Sequence, residues 1–96
     1  MTINEFQKLI EDIYYDKDSA RGMEATFMWF VEEVGELSRA LRRGSREELQ
    51  NEFADVAAWL ATLASIAGVN LERAVTEKYQ GSCPKCGSTP CRCSEG

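Results

Sequence analysis

Two amphipathic helical patterns separated by only two residues constrain the fold of this chain more than any other feature. Apolar residues recur at three- and four-residue steps over residues 27–41 and again over residues 49–67. Gly44 and Ser45 form the whole junction between them, after a basic last turn with Arg42 and Arg43. A junction this short forces the two helices to fold back as an antiparallel hairpin.

Local signals predict where the remaining helices begin and end. Thr2 and Glu5 form a capping box that opens a first helix, which is expected to run to about Tyr15. Residues 14–19 lose the apolar period and are expected to connect this helix to the next one. The second helix is predicted to begin between Ser19 and Met23 and to stop at a left-handed Gly44.

Capping residues also mark the helices that follow. Ser45 and Glu48 form a second capping box, and Gly68 is expected to end that helix. Asn70 is expected to cap a short last helix that ends near Tyr79. Nothing in the body of the chain predicts a strand. The fold class is therefore all-α, an antiparallel helical hairpin with flanking N- and C-terminal helices.

Composition excludes several classes of function. The 96 residues carry 11 basic and 16 acidic side chains, a net charge of −5, which disfavours binding to nucleic acid. There is no histidine, so carboxylates and water must carry any acid–base chemistry. No apolar run reaches the ~18 residues of a membrane span, and residues 1–5 lack the features of a secretion signal. A cytoplasmic location and no contact with membranes are expected.

Two pairs of acidic residues lie at matching distances from the hairpin junction. Glu33 and Glu36 precede Gly44 by 11 and 8 residues, and Glu52 and Asp55 follow it by 8 and 11. Residues three apart share one side of a helix, so the two pairs should meet across the hairpin. Four carboxylates at one level repel unless cations neutralise them, and oxygen ligands select Mg²⁺ or Mn²⁺.

An ordinary solvated acidic face is the alternative interpretation of these residues. The symmetric spacing argues against it, as do the aromatic residues that flank the acids, namely Trp29, Phe30, Phe53 and Trp59. A di-iron carboxylate bundle would require Glu-x-x-His motifs. The chain has no histidine, so that alternative fails.

The two-part acidic motif resembles the signature of the MazG-like all-α nucleoside triphosphate pyrophosphohydrolases. The likeness covers residues 6–79 and rests on Glu32-Glu33-x-x-Glu36 followed by Glu52-x-x-Asp55. The segments at Asp55-Val56-Ala57-Ala58-Trp59 and over residues 68–75 also resemble the sequences of that family. The resemblance implies a four-helix bundle completed by dimerisation, with a domain over residues 1–80 and a separate tail over residues 81–96.

The resemblance also implies a reaction and roles for single residues. The reaction is hydrolysis of a nucleoside triphosphate to the monophosphate and pyrophosphate, in a homodimer or a dimer of dimers. Glu33, Glu36, Glu52 and Asp55 match the family's magnesium ligands, and Glu32 and Glu33 are the catalytic candidates. Lys17, Arg21 and Lys78 are candidates for binding phosphates, and Trp29 for stacking on the base. Past Lys78-Tyr79 the chain departs from its relatives, because Gln80-Gly81-Ser82 leads straight into cysteines.

All four cysteines of the chain lie in the tail, at positions 83, 86, 91 and 93. Cys83-Pro84-Lys85-Cys86-Gly87 is similar to half of a zinc knuckle, in which Gly87 supplies a positive φ. Cys91 and Cys93 would complete a Cys₄ structural zinc site. A redox or disulfide-bonded tail, an iron–sulfur site, and ligands shared between two subunits are the alternatives.

Two other functions stay open on the sequence alone. One is a biosynthetic pyrophosphatase that acts on phosphoribosyl-ATP. The other is a non-catalytic helical dimer that binds a partner through its cysteine tail.

Overall fold

The computed structural model describes residues 1–94, and helices account for most of them. The helices are α1 (Ile3–Arg43), α2 (Arg46–Ile66) and α3 (Leu71–Lys78). No strand occurs in residues 1–94, so the predicted all-α class is confirmed. Helices α1 and α2 pack against each other as the predicted hairpin, and α3 contacts α1.

The predicted helix starts are confirmed by their hydrogen bonds. Thr2 Oγ1 accepts from the Glu5 amide at 3.0 Å, and Glu5 Oε1 accepts from the Thr2 amide at 2.7 Å. Ser45 and Glu48 form the same reciprocal pair at 3.1 and 3.2 Å. Asn70 Oδ1 accepts from the Arg73 amide at 2.8 Å. These caps fix three helix starts by satisfying amides that have no partner inside the helix.

The break between the first two predicted helices lies at Gly22 and not over residues 14–19. Gly22 has φ +82° and ψ 174°, a conformation that is almost restricted to glycine, and it divides α1 into two helical halves. Residues 14–19 are helical, so the prediction of a connection there is wrong. The apolar period fails in this stretch because the residue that faces the interior, Asp18, is polar. Asp18 is buried, and its carboxylate accepts hydrogen bonds from Arg21 and Thr62.

The predicted left-handed conformation of Gly44 is also wrong. Gly44 is extended, with φ −84° and ψ 160°. Glycine is needed there for another reason, since a Cβ would lie 2.9 Å from the Cα and the carbonyl oxygen of Ala40. The chain therefore turns out of α1 in close contact with the helix's own last turn.

The buried face of the hairpin differs from its most apolar face. Thr26 and Ala40 of α1 and Ala61 and Thr62 of α2 are buried. Large residues of the predicted apolar stripes remain exposed, among them Phe27, Val31, Val34, Leu41, Phe53 and Leu60. Small residues let the two helices of one chain approach closely, and the larger apolar surface is left on the outside of the hairpin.

A buried glutamine joins the N-terminal half of α1 to the junction between α2 and α3. Gln7 Nε2 donates to Ser65 Oγ at 3.1 Å and to the Val69 carbonyl at 2.9 Å. Gln7 Oε1 accepts from the Leu71 amide at 2.9 Å. Both the nitrogen and the oxygen of the Gln7 side chain are hydrogen-bonded, which makes the burial of this polar group favourable. These bonds hold α3 against α1.

In residues 1–94, no single helix is long and apolar enough to cross a membrane. Helices α2 and α3 taken together would meet those limits by length and composition, but they are bent by 94° at their junction.

Candidate active site

The hairpin brings acidic residues of α1 and α2 together. Glu33, Glu52 and Asp55 each offer a carboxylate oxygen, and these three oxygens all lie within 4.8 Å of one another. Glu33 and Glu52 are half-buried, and Asp55 is exposed. The matching distances from the junction therefore placed these three groups correctly.

One oxygen of this cluster is left without a partner. Glu52 Oε2 is buried and makes no hydrogen bond to the described residues. A buried carboxylate oxygen without a donor costs free energy, so it calls for a cation or a proton.

The cluster also changes the protonation of Glu33. Partial burial raises the pKa of Glu33 above its usual value of 4.5, and the negative charges of Asp55 and Glu52 raise it further. Both effects favour the neutral acid in the absence of a cation.

The other two predicted acids lie apart from this cluster. Glu36 is one helical turn further along α1, and its Oε2 lies 3.6 Å from Nη1 of Arg39. Glu36 lines a second cavity, near the hairpin junction, together with Glu52. Glu32 is exposed. The structure therefore groups three of the four predicted magnesium ligands, with the fourth close by.

A hard divalent cation fits this donor set. The donors are carboxylate oxygens only, they carry a net negative charge, and one of them is buried without a partner. A cation would give Glu52 Oε2 the partner that the chain does not supply, and it would offset the repulsion within the cluster.

A cavity of about 270 Å³ opens beside the acidic cluster. Asp55 belongs to both the cluster and the cavity wall. The other lining residues come from the two sides of the hairpin, namely Ile10, Tyr14, Lys17, Asp18, Arg21, Ala58, Trp59 and Thr62. Lys17 and Arg21, two of the predicted phosphate-binding residues, are therefore near the acids.

A buried polar network forms the floor of this cavity. Arg21 Nη1 donates to Asp18 Oδ1 at 2.9 Å, and Thr62 Oγ1 donates to Asp18 Oδ2 at 3.2 Å. The Arg21 guanidinium also lies 4.8 Å from the centroid of the Trp59 ring. Asp18 thus holds Arg21 at the cavity, and Lys17 is an exposed cation of the wall.

The other two predicted substrate contacts lie outside the cavity wall. Trp29 stacks on Trp59 with ring centroids 6.2 Å apart and an angle of 14°, and it remains half exposed. Lys78 lies at the end of α3, with its Nζ 5.7 Å from the centroid of the Tyr79 ring. Only Trp29 is therefore connected to the cavity, through its contact with Trp59.

Several cavity residues had not been predicted, although their spacing carries a signal. Glu52, Asp55, Trp59 and Thr62 are spaced three, four and three residues apart. They therefore lie on one face of α2. This polar and aromatic face continues from the acidic motif toward the cavity. Following the same helical spacing from Asp55 toward the C-terminus would have identified Trp59 and Thr62. Asp18 carries no such signal.

The four cysteines of the tail form a second cluster. Each offers a sulfur, and the four sulfurs all lie within 4.8 Å of one another. Gly87 has φ +71°, as the knuckle motif predicted. This cluster lies in the cysteine-rich segment after α3.

Residues 1–94 thus form an all-α hairpin that carries an oxygen-only acidic cluster next to a cavity. The sequence model of the MazG nucleotide pyrophosphohydrolase domain matches residues 21–87, more than half of the chain. The chain belongs to the MazG family. None of the curated proteins matches the chain.

Family membership indicates the general activity. MazG domains are nucleotide pyrophosphohydrolases that act on nucleoside triphosphates and depend on divalent metal ions. The match begins just before the break at Gly22 and ends just after Cys86. It therefore includes the acidic cluster and the first cysteine pair.

Proposed function

We propose that this protein hydrolyses a nucleoside or deoxynucleoside triphosphate to the monophosphate and pyrophosphate, with Mg²⁺ or Mn²⁺ as the cofactor. Removal of unwanted nucleotides is the proposed role. The observation that carries the proposal is the cluster of Glu33, Glu52 and Asp55, in which a buried carboxylate oxygen has no partner. The MazG match supports the same class of reaction.

Glu33, Glu52 and Asp55 would hold the cation, and Glu36 would join them after leaving Arg39. When bound, such ions neutralise phosphate charge and lower the pKa of bound water. The acids would otherwise repel a triphosphate, which is why the empty cluster cannot bind substrate well on its own.

The proton of the attacking water needs an acceptor within hydrogen-bond reach. We assign this role to a carboxylate of Glu32 or Glu33. Glu32 is exposed and directly precedes Glu33 in α1, so its side chain is free to turn toward a water. Glu33 is the second candidate because it is the α1 member of the carboxylate cluster.

The cavity beside Asp55 is the proposed nucleotide site. Lys17 and Arg21 would meet phosphate oxygens there, since both line its wall. Trp29 would present its exposed edge to the base, and Tyr14 would line the base pocket. A role for Lys78 requires the nucleotide or a second subunit to reach the end of α3.

A homodimer, or a dimer of dimers, is the proposed assembly. Phe27, Val31 and Val34 on α1 and Phe53 and Leu60 on α2 are all exposed. Exposed apolar area of this kind marks an interaction surface, and a second copy of the hairpin covers it with a matching surface. Val31→Glu should dissociate the assembly, as measured by light scattering, and Asn51→Glu, at an exposed polar position of α2, should not.

Product analysis tests the proposed reaction. The protein is incubated with a panel of canonical and damaged nucleoside triphosphates, and with phosphoribosyl-ATP, in Mg²⁺ and then in EDTA. Monophosphate plus pyrophosphate, formed only with metal, is the expected result. Diphosphate plus phosphate would show that a different bond is cut and would refute the mechanism.

Two variants link that result to the cluster. Glu36→Gln and Asp55→Asn should fold with the wild-type circular dichroism spectrum and lose turnover. Full turnover in both variants would refute the assignment of the site. No turnover by the wild-type protein on any substrate would instead favour a helical dimer whose function is binding.

A further inference from the structure

Four thiols converge in the short segment that follows α3. The sulfurs of Cys83, Cys86, Cys91 and Cys93 all lie within 4.8 Å of one another, and those of Cys83 and Cys93 are 3.8 Å apart. A tetrahedron with Zn–S bonds of ~2.3 Å has sulfur–sulfur edges of about 3.8 Å. The four sulfurs are therefore close to the arrangement that one central ion requires.

We propose that Cys83, Cys86, Cys91 and Cys93 bind one Zn²⁺ as a closed tetrathiolate site that folds residues 81–94. This site is separate from the acidic cluster in ligand chemistry and in sequence. It stands whether or not the proposed nucleotide hydrolysis is correct.

The backbone around the cysteines is arranged as a support for thiolates. The Arg92 amide donates to Cys86 Sγ at 3.3 Å, and the Cys93 amide donates to Cys91 Sγ at 3.3 Å. Hydrogen bonds from backbone amides stabilise the negative charge of a thiolate. Both donors lie in the segment from Cys91 to Cys93, and they reach one sulfur of each cysteine pair, so the supporting bonds extend across the cluster.

The first cysteine pair lies in a tight turn closed by its own backbone. The Gly87 amide donates to the Cys83 carbonyl at 2.8 Å, and the Cys83 amide donates to the Ser88 carbonyl at 3.0 Å. The positive φ of Gly87, +71°, makes this turn possible. Both cysteines of the pair therefore face the same point.

The segment has no apolar core to hold this arrangement. It forms no helix or strand over residues 81–94, and none of those residues is buried. Segments this small need a cross-link or a metal to keep one conformation. An ion bound at the centre of the four sulfurs supplies the missing stabilisation.

The convergence of all four sulfurs also separates a metal site from disulfides. Two disulfides need two close pairs, and nothing requires those pairs to meet. In this segment every sulfur is near the other three, and all four cysteines are unpaired. One shared ion accounts for both observations.

The ligands favour zinc over the cation of the acidic cluster. Thiolates are soft donors that select zinc and iron, whereas carboxylates select magnesium and manganese. With all four positions filled by cysteine there is no open site for water, so the zinc is structural. Lys85 and Arg92, each next to a ligand in sequence, offset part of the negative charge of the tetrathiolate.

Metal content of untagged protein tests the proposal directly. The chain has no histidine, so once affinity tags are removed no imidazole competes for zinc. Protein purified under reducing conditions should contain one zinc per chain by elemental mass spectrometry. Cobalt added to the zinc-free chain should give the visible absorption bands of a tetrahedral thiolate complex.

Matched variants locate the ion. Cys86→Ser combined with Cys93→Ser should lose the zinc and the cobalt bands. Ser82→Ala combined with Ser88→Ala changes side chains of the same segment and should keep both. Glu33→Gln should also keep the zinc, since its carboxylate belongs to the other cluster.

A measurement on the wild-type chain tests the proposal even if the cysteine variant misfolds. Zinc added to the reduced metal-free protein should disperse the NMR amide signals of residues 81–94 and leave the helical circular dichroism unchanged. Two disulfides by intact mass with no metal, stoichiometric iron in place of zinc, or zinc retained by the cysteine variant would each overturn the proposal.

Discussion

Glu33 of α1 and Glu52 of α2 bring carboxylate oxygens within 4.8 Å of each other across the hairpin, and an oxygen of Asp55 lies within 4.8 Å of both. The ion pair between Arg39 and Glu36, one helical turn beyond Glu33, includes none of these three carboxylates. Within residues 1–94 no ion pair involves Glu33, Glu52 or Asp55, although Lys17 and Arg21 line the adjoining cavity. Repulsion among these carboxylates would oppose folding in the absence of metal, and the same repulsion would favour binding of the proposed divalent cation.

Glu52→Gln should raise the stability of the metal-free protein and abolish turnover. The amide removes one negative charge from the cluster and can donate to a neighbouring carboxylate, which relieves the repulsion. Loss of one ligand should lower kcat/KM by on the order of 100-fold or more. Urea unfolding in EDTA measures the first effect, and pyrophosphate release in Mg²⁺ measures the second.

Glu24→Gln is the matched control for that variant. Glu24 is an exposed residue of α1, and it should change neither quantity appreciably. If Glu52→Gln lowered the stability in EDTA, the carboxylates would be held together by attractive contacts, and the predicted relief of repulsion would be wrong.

The stability of the metal-free protein should fall as pH rises above the usual pKa of Glu33, 4.5. Burial and the charges of Asp55 and Glu52 raise the pKa of Glu33 in the folded chain. Between the two pKa values the folded state binds more protons than the unfolded state, so the free energy of unfolding decreases with pH. The contribution is complete below pH 4.5 and is lost as pH passes the raised pKa.

Urea unfolding at a series of pH values, in wild type and in Glu33→Gln, isolates this contribution. The difference in unfolding free energy between the two proteins should change across that window. Saturating Mg²⁺ should remove the decline in wild type, because it binds the ionised carboxylate. Parallel curves for the two proteins would contradict the raised pKa.

The sequence predicted the hairpin and the acidic cluster because both depend on local rules. The capping boxes of Thr2 and Ser45 and the short junction at Gly44 set the helix starts and their antiparallel packing. Helical spacing then placed Glu33 opposite Glu52. These signals involve residues close together in sequence, and no tertiary contact was needed to interpret them.

Features that depend on contacts distant in sequence were not predicted. Asp18 is helical and buried because Thr62, on another helix, donates a hydrogen bond to it, and no local pattern indicates that bond. The burial of the apolar faces could not be predicted for a related reason. An apolar helix face indicates that something covers it, but it does not show whether the cover is the same chain or another molecule. Residues such as Val31 are exposed in the single chain.

Asp18→Ala should destabilise the protein by about 2–3 kcal/mol, because it leaves Arg21 and Thr62 without a buried partner. Thr62→Val should cost about 1 kcal/mol. In the double variant the two costs should not add, and the coupling should be about 1 kcal/mol. Urea unfolding of the four proteins measures this cycle. Asp16→Ala, at an exposed position of the same turn, is the control, and additive costs would show that the two residues do not interact.

Two glycines of α1 should respond in opposite directions to alanine. Gly22 has φ +82° and ψ 174°, which alanine adopts only with strain, so Gly22→Ala should cost about 1–3 kcal/mol. Gly35 is in the middle of a helix, and in residues 1–94 a Cβ there would meet no atom within 4 Å outside the adjacent helix backbone. Gly35→Ala should therefore stabilise an isolated chain by up to about 1 kcal/mol.

Whether Gly35→Ala stabilises or destabilises the protein tests whether a second copy packs against Gly35. A glycine in the middle of a helix indicates the close approach of another helix or a ligand, and no other part of residues 1–94 comes within 4 Å of a Cβ at Gly35. Thermal unfolding and light scattering are measured together for this variant. A stabilised protein of unchanged mass would show that Gly35 faces open space. A destabilised or dissociated protein would show that a second copy packs against Gly35 and would contradict the predicted stabilisation.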